Sequence, residues 1–236
     1  PTGRLPSVGE HLRLLVPIAL YQLFLNGLLQ LDLELLLAGE TLRASAVGLD
    51  PAEAALAAAR EAGLYRVSQT LAFVPYQLTT SVTLVLFPIV AKGSSAGDVR
   101  AVEGAVGAAL RFSLLFLVGL LAPLAGGAEG AVHVAFPAAY DRAATTVPVL
   151  AAGQLFFALG VVQATVLLSR GLLWRTVLLV LGTLVLSATG NLLAWHLSPD
   201  ALRFGTAVGT AIGGLAMWGG TAILLRSSLS VRISLR

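Results

Sequence analysis

The chain has no cysteine and a single methionine among its 236 residues, and only 11% of it is Asp, Glu, Lys or Arg. Without cysteine there are no disulfides, no thiolate metal sites and no cysteine nucleophile, and redox chemistry says nothing about the compartment. Soluble chains carry about 25% charged residues. A globule with this little charge and 57% hydrophobic residues lacks the polar surface to stay dissolved. The three histidines, His11, His133 and His196, are scattered, with no HExxH pattern and no carboxylate at ligand spacing. No Walker-type glycine loop is present, and Ser169 and Ser187 have no base beside them in sequence. The motifs of a soluble catalyst are therefore missing, and no cofactor is implied.

What the chain does have is long uncharged runs, at 14–31, 67–91, 112–128, 143–169, 176–199 and 204–225. Each is close to the roughly 20 apolar residues that cross a hydrocarbon core of about 30 Å as a helix. In lipid every backbone polar group must be paired internally, which leaves helices or closed barrels, and these runs lack the alternation of barrel strands. The reading is an all-α, polytopic bundle of six transmembrane helices, at 12–38, 64–91, 105–125, 143–169, 172–197 and 202–226, forming a single lobe. The chain opens with Pro1 rather than Met, which predicts a piece of a longer protein.

Charge sorts by side. One side collects ten cations (Arg4, Arg13, Lys92, Arg100, Arg111, Arg170, Arg175, Arg226, Arg232 and Arg236) against Glu10, Asp98 and Glu103. The other holds five (Arg43, Arg60, Arg66, Arg142 and Arg203) against seven acids, Glu40, Asp50, Glu53, Glu61, Glu129, Asp141 and Asp200. The positive-inside rule then predicts a multi-pass protein with both termini cytoplasmic.

The longest predicted connection is 39–63, on the outer side. Within it Asp50-Pro51-Ala52-Glu53 reads as an N-cap, a proline at the first helical position and an acid in the first turn. The Ala-rich run to Glu61 suits a short surface helix or an early start of the second span, with a break at Gly63. Pro75 and Pro88 inside the second span permit kinks. Val16-Pro17 leading to Gln22-Leu23-Phe24, and Val147-Pro148 leading to Gln154-Leu155-Phe156, hint at a three-helix repeat.

A charge at the bilayer centre costs about 2.5–3.5 kcal/mol on insertion scales, so polar residues inside spans are the candidates for function. Gln22, Asn26, Gln30 and Glu34 recur every four residues and form one stripe, which should face other helices or a wet cavity. Asp32 points roughly 160° away from Gln30. Asp32 and Glu34 can also be read as anchors at headgroup level. On the second span Gln69, Tyr76, Thr80 and Thr83 share a face, and Arg66 lies level with the acids of the first span and could pair with one. Interhelical hydrogen bonding is the plainer role for these hydroxyls. Thr183, Ser187 and Asn191 step along the fifth span towards Trp195, which suits the aromatic belt. Gly205, Gly209 and Gly213, beside Thr206 and Thr210, give the sixth span a small-residue face for close helix packing.

The stretch from Tyr65-Arg-Val-Ser-Gln69 through Pro75 to Val85-Leu-Phe-Pro88-Ile-Val-Ala-Lys92 resembles a helix of bacterial polysaccharide-biosynthesis flippases. These belong to the multidrug/oligosaccharidyl-lipid/polysaccharide exporter superfamily, which also contains the lipid II flippase and the MATE drug exporters. Leu14-Leu-Val-Pro17 to Asp32, Ala135-Phe-Pro-Ala-Ala-Tyr140, Asn191-Leu-Leu and Gly205-Thr-Ala-Val-Gly209-Thr-Ala are similar in the same order, over about residues 12–226. The resemblance implies the C-terminal half of a two-lobed transporter, its N-terminal lobe missing. The lobes would form a V around a cavity that passes polyprenyl-diphosphate-linked oligosaccharide to the outer leaflet. For such a route, which needs hydrogen-bonding faces and cations screened from lipid, the polar positions of the first two spans, Gln22, Asn26, Gln30, Glu34, Arg66, Gln69, Tyr76 and Thr80, are the substrate or cavity candidates. A coupling-ion role, for H⁺ or Na⁺, falls to Asp32, with Asn191 and Thr206 or Thr210 completing the site. Arg66 departs from the family pattern in its offset from Pro75, the 39–63 connection is longer than usual, and Pro137 stands where many relatives have glycine. Two rivals remain at this stage: a MATE-like cation-coupled exporter of small molecules, and a membrane-embedded glycosyltransferase.

Overall fold

A computed structural model describes residues 8–197 and 201–233; Arg4, Asp200 and Arg236 of the charge inventory lie outside the described residues. Seven α-helices follow one another: α1 (Val8–Ala46), α2 (Pro51–Ala96), α3 (Val99–Gly126), α4 (Ala128–Ala135), α5 (Val147–Ser169), α6 (Leu173–Leu197) and α7 (Leu202–Ile233). A short 3₁₀ helix (Ala138–Thr145) joins α4 to α5. All except α4 are long and apolar enough to cross a membrane, so the chain is an all-α, multi-pass membrane helix bundle with six spans.

The spans keep their expected places, but their ends move. The 39–63 connection shrinks to residues 47–50, because α1 runs on to Ala46 and α2 begins at Pro51. The Asp50 carboxylate caps α2 as its sequence predicts, accepting from the N–H groups of Ala52 and Glu53 at 2.8 and 2.9 Å. No break occurs at Gly63. Helix propensity in the Ala-rich run decides the matter, and Ala54 and Ala58 are fully buried. At 1.5 Å per residue, the 46 residues of α2 span about 69 Å, more than twice the hydrocarbon thickness. The α1–α2 hairpin therefore stands well clear of the bilayer at one end. The fourth span likewise starts at Val147 rather than 143, after the 3₁₀ turn.

The uncharged α5 is the axis of the bundle: 72% of its most apolar stretch is buried inside the protein, against 22–33% for the other spans. Its neighbours α2, α3 and α7 enclose it, α6 packs on α7, and α1 lies between α6 and α2, its Tyr21, Leu25 and Leu28 meeting Phe157 and Val161 of α5 in one core cluster. The small-residue face of α7 does pack closely. A Cβ on Gly209 would lie 2.9 Å from Asn191 N and one on Gly213 would lie 2.9 Å from Ser187 Cβ, so α6 and α7 meet nearly backbone to backbone. Trp195 of α6 packs on α1: its indole sits over Gly39, where a Cβ would be 2.6 Å from Cε2.

Candidate functional site

Asp32 lies in the middle of this packing, 1% exposed, so the headgroup-anchor reading does not hold for it. Tyr65 and Gln69, one helical turn apart on α2, both turn inward towards it. The Tyr65 hydroxyl donates to Asp32 Oδ2 at 2.7 Å. Gln69 Nε2 donates to both carboxylate oxygens, at 3.0 and 2.9 Å. From α7, Thr210 Oγ1 donates to Oδ2 at 3.0 Å and lies 3.2 Å from the Tyr65 hydroxyl. The N–H of Leu33 meets Oδ1 at 2.8 Å. Every group facing the carboxylate is a donor, which is the set an ionised carboxylate requires. Three helices thus close on one acid, with no cation within salt-bridge distance among the described residues.

Arg66 follows Tyr65 in sequence and so points away from the core, into a groove between α1 and α2. The groove, of about 470 Å³, is lined by Asn26, Leu29, Gln30, Leu33, Glu34, Arg66 and Phe73. Arg66 pairs with neither acid of α1. Its Nη1 donates to Gln69 Oε1 at 3.2 Å. Gln69 therefore belongs to both places, its Nε2 on the buried carboxylate and its Oε1 on the groove cation.

The structure sorts the sequence-predicted residues into four groups. Asn26, Gln30, Glu34 and Arg66 line the groove. Gln22 is exposed on the same side of α1, and its carbonyl accepts from Asn26 Nδ2 at 2.8 Å. This stripe faces open space beside the bundle, not other helices of the chain. Asp32, Gln69 and Thr210 form the buried cluster. Tyr76 and Thr80 join neither: Tyr76 packs on Phe157 with ring centroids 5.2 Å apart, and Thr80 donates to the Gln77 carbonyl of its own helix. The shared face expected of Gln69, Tyr76, Thr80 and Thr83 is thereby divided: Gln69 turns to Asp32 of α1, Tyr76 packs on α5, and Thr80 and Thr83 bond back to α2 itself.

Asn191 and Thr206 form a separate buried pair of polar positions. Asn191 Nδ2 donates to the Ser187 carbonyl at 2.9 Å, while Asn191 Oδ1 and Thr206 Oγ1 have no partner. Neither hydrogen-bonds to Asp32; of the α7 hydroxyls, Thr210 takes that role. Next to it Leu28, Phe73, Gln154, Ser187 and Thr210 help to enclose a cavity of about 10 Å³, the size that holds a single water. Gln154 Oε1 is likewise unpartnered.

Sequence reasoning missed Tyr65 as a site residue. Its spacing of four from Gln69 was the available signal, since it puts both side chains on one face. Among the described residues no three His, Cys, Asp or Glu side chains gather as a metal site. No family model matches the chain, and no curated protein or solved structure does.

Proposed function

We propose that this chain is the transport lobe of a flippase that moves polyprenyl-diphosphate-linked oligosaccharide from the cytoplasmic to the outer leaflet of a bacterial cytoplasmic membrane, with both termini cytoplasmic. One observation carries the reading: an open polar groove on membrane-spanning helices is joined, through the Gln69 side chain, to a buried carboxylate. A diphosphate-sugar headgroup crossing the hydrocarbon needs hydrogen-bonding side chains and a cation that lipid does not cover. Asn26, Gln30 and Arg66 offer these. A second lobe facing α1 and α2 would close the groove into a cavity. The excess of cations on one side supports the orientation.

Asp32 is the coupling residue in this reading. Protonation changes what its surroundings must do, because a neutral carboxyl presents a donor of its own to Tyr65, Thr210 and Gln69. The two charge states then favour different packings of α1, α2 and α7, which is the differential interaction a coupled cycle requires. Sodium suits the cluster less well, since an N–H of Gln69 faces both carboxylate oxygens where the ion would need oxygen ligands.

A MATE-like exporter of organic cations is the second reading, favoured by Glu34 and Phe73 lying in one groove. A glycosyltransferase is disfavoured by the four-residue α1–α2 connection, which leaves no large loop there to carry a catalytic face. The test is leaflet-specific labelling of lipid-linked sugar in a flippase-deficient strain expressing the protein and its Asp32→Asn variant. Outward movement that the variant slows is expected. No movement of lipid-linked sugar, combined with resistance to organic cations, would replace the flippase by the exporter.

A further inference from the structure

Five helices meet beside Thr210 and leave a small chamber between them. Leu28 of α1, Phe73 of α2 and Phe157 of α5 give it apolar walls, and Gln154 of α5, Ser187 of α6 and Thr210 of α7 give it polar ones. Its volume of about 10 Å³ matches one water molecule. Small residues make the space. Gly213 admits the Ser187 hydroxyl, since a Cβ there would stand 3.0 Å from Oγ. Gly153 and Gly214 form the wall where α5 meets α7.

Each polar wall has bonding capacity left over. Gln154 and Ser187 are both only 3% exposed. Gln154 Oε1 has no hydrogen-bond partner, and the Ser187 hydroxyl makes no hydrogen bond among the described residues. Thr210 spends its one proton on Asp32 Oδ2, and Tyr65 spends its own on the same oxygen. Neither hydroxyl therefore donates to the other, and the lone pairs of Thr210 Oγ1 stay free to accept. A buried polar group left unpaired costs stability, and three groups with unspent capacity border this one space. They do not bond to one another, so what satisfies them stands between them.

We infer that the chamber is a binding site for one water molecule, which joins Thr210 to Gln154 and Ser187. One O–H of the water donates to Thr210 Oγ1 and the other to Gln154 Oε1. The Ser187 hydroxyl donates to the water oxygen. Three such bonds are the usual complement of a buried water. Size and polarity together select this occupant: an apolar molecule would leave Gln154 and Ser187 unpaired, and a larger polar one does not fit. The consequence lies at Asp32. A hydroxyl that accepts a hydrogen bond donates more strongly, so the water tightens Thr210 on the carboxylate. It also extends the network around that acid from α1, α2 and α7 to α5 and α6, which gives the uncharged axis of the bundle a polar link to it. The site rests on packing and hydrogen-bond capacity and needs neither the flippase nor the exporter reading.

High-resolution crystallography of the full chain in a lipid mesophase tests the site. Density for one water about 2.7–2.8 Å from Thr210 Oγ1, Gln154 Oε1 and Ser187 Oγ is expected. Gln154→Leu, of similar volume and without polar side-chain atoms, should lose the water. Thr183→Val, on α6 but outside the chamber, should keep it. Infrared spectroscopy reads the same molecule in membranes. Exchange into water labelled with heavy oxygen should shift an O–H stretching band of the wild type that Gln154→Leu lacks. Where Gln154→Leu does not fold, as judged by gel filtration and circular dichroism, Ser187→Ala removes one partner and should move that band. Ordered chamber walls with no density between them, a wild-type spectrum without an isotope-sensitive band, or a water that persists in Gln154→Leu would each overturn the site. A stronger peak at ion-coordination distance from several oxygens would overturn the water in favour of a cation.

Discussion

Gln69 holds Asp32 with one end of its amide and, with the other, Arg66. The amide hydrogens meet the carboxylate at 2.9–3.0 Å and the amide oxygen accepts from the guanidinium at 3.2 Å, so a buried acid and a surface cation constrain the same side chain. Its O and N positions are fixed by that network, since neither partner accepts the reverse orientation. Gln69→Leu keeps the volume but removes donor and acceptor together, leaving a buried carboxylate short of hydrogen bonds. A loss of about 1–3 kcal/mol in unfolding free energy is expected, followed by circular dichroism in detergent. The cycle with Asp32→Asn should show a coupling of about 0.5–3 kcal/mol. Strict additivity would mean that the two side chains do not interact.

The seam between α5 and α7 gives a sharper contrast. A Cβ on Gly214 would run into the Gly153 carbonyl of α5, and one on Gly153 would lie 2.7 Å from Ala211 Cα. These are backbone atoms that no rotamer change can move aside. Gly214→Ala should therefore lower the melting temperature markedly, at a cost of about 1–3 kcal/mol for overpacking. Gly119→Ala and Gly182→Ala, where an added Cβ meets nothing within 4 Å, should be neutral or stabilising by roughly 0.5–1 kcal/mol. Equal melting temperatures for the three variants would contradict the packing of α5 on α7.

The two kinds of residue differ in how far they could be read from sequence. The six spans are legible because insertion into lipid depends on composition, and an uncharged run declares itself without reference to the rest of the chain. The 39–63 segment misled for the same reason. Hydropathy sees Glu53, Arg60 and Glu61 and reports a connection, while the alanines between them favour helix and Ala54 and Ala58 are buried. Gly205, Gly209 and Gly213 advertised close packing correctly, since their spacing is local to one helix. The Asp32 cluster is different. Tyr65 and Thr210 reach it from 33 and 178 residues away, and choosing Thr210 over Thr206, one turn away on the same face, depends on the height of α7 against α1, which no local pattern encodes.

At the protruding end of the bundle Glu61 ties α2 to the start of α7. Its partner Arg203 has a side chain only 11% exposed and lies 3.3 Å away, while the side chain of Arg142 is 76% exposed at 3.9 Å. Burial separates their importance. Glu61→Gln should cost about 1–3 kcal/mol, because it strands a largely buried cation, and Arg142→Gln about 0–1 kcal/mol, because its pair is solvated. Thermal unfolding at low and high salt distinguishes them: only the small Arg142 contribution should vanish on screening. Equal losses in the two variants would put Glu61 with Arg142 instead.

Arg66 is the cation through which the proposed headgroup site can be tested apart from the fold. It is exposed, its one hydrogen bond among those described is to Gln69, and it neutralises no acid, so Arg66→Gln should leave the melting temperature within about 0.5 kcal/mol of wild type. Its effect on transport should be much larger. A charge-assisted hydrogen bond to a diphosphate contributes about 1.5–3 kcal/mol, which predicts a loss of roughly ten- to hundredfold in the rate of lipid-linked sugar reaching the outer leaflet at limiting substrate. Arg66→Lys keeps the charge but not the two-pronged donor, and should fall between. Arg60→Gln, six residues earlier and outside the groove, supplies the control. If Arg66→Gln transports as wild type does while Arg60→Gln is impaired, the headgroup must travel past the outer end of α2 and not along the α1–α2 groove.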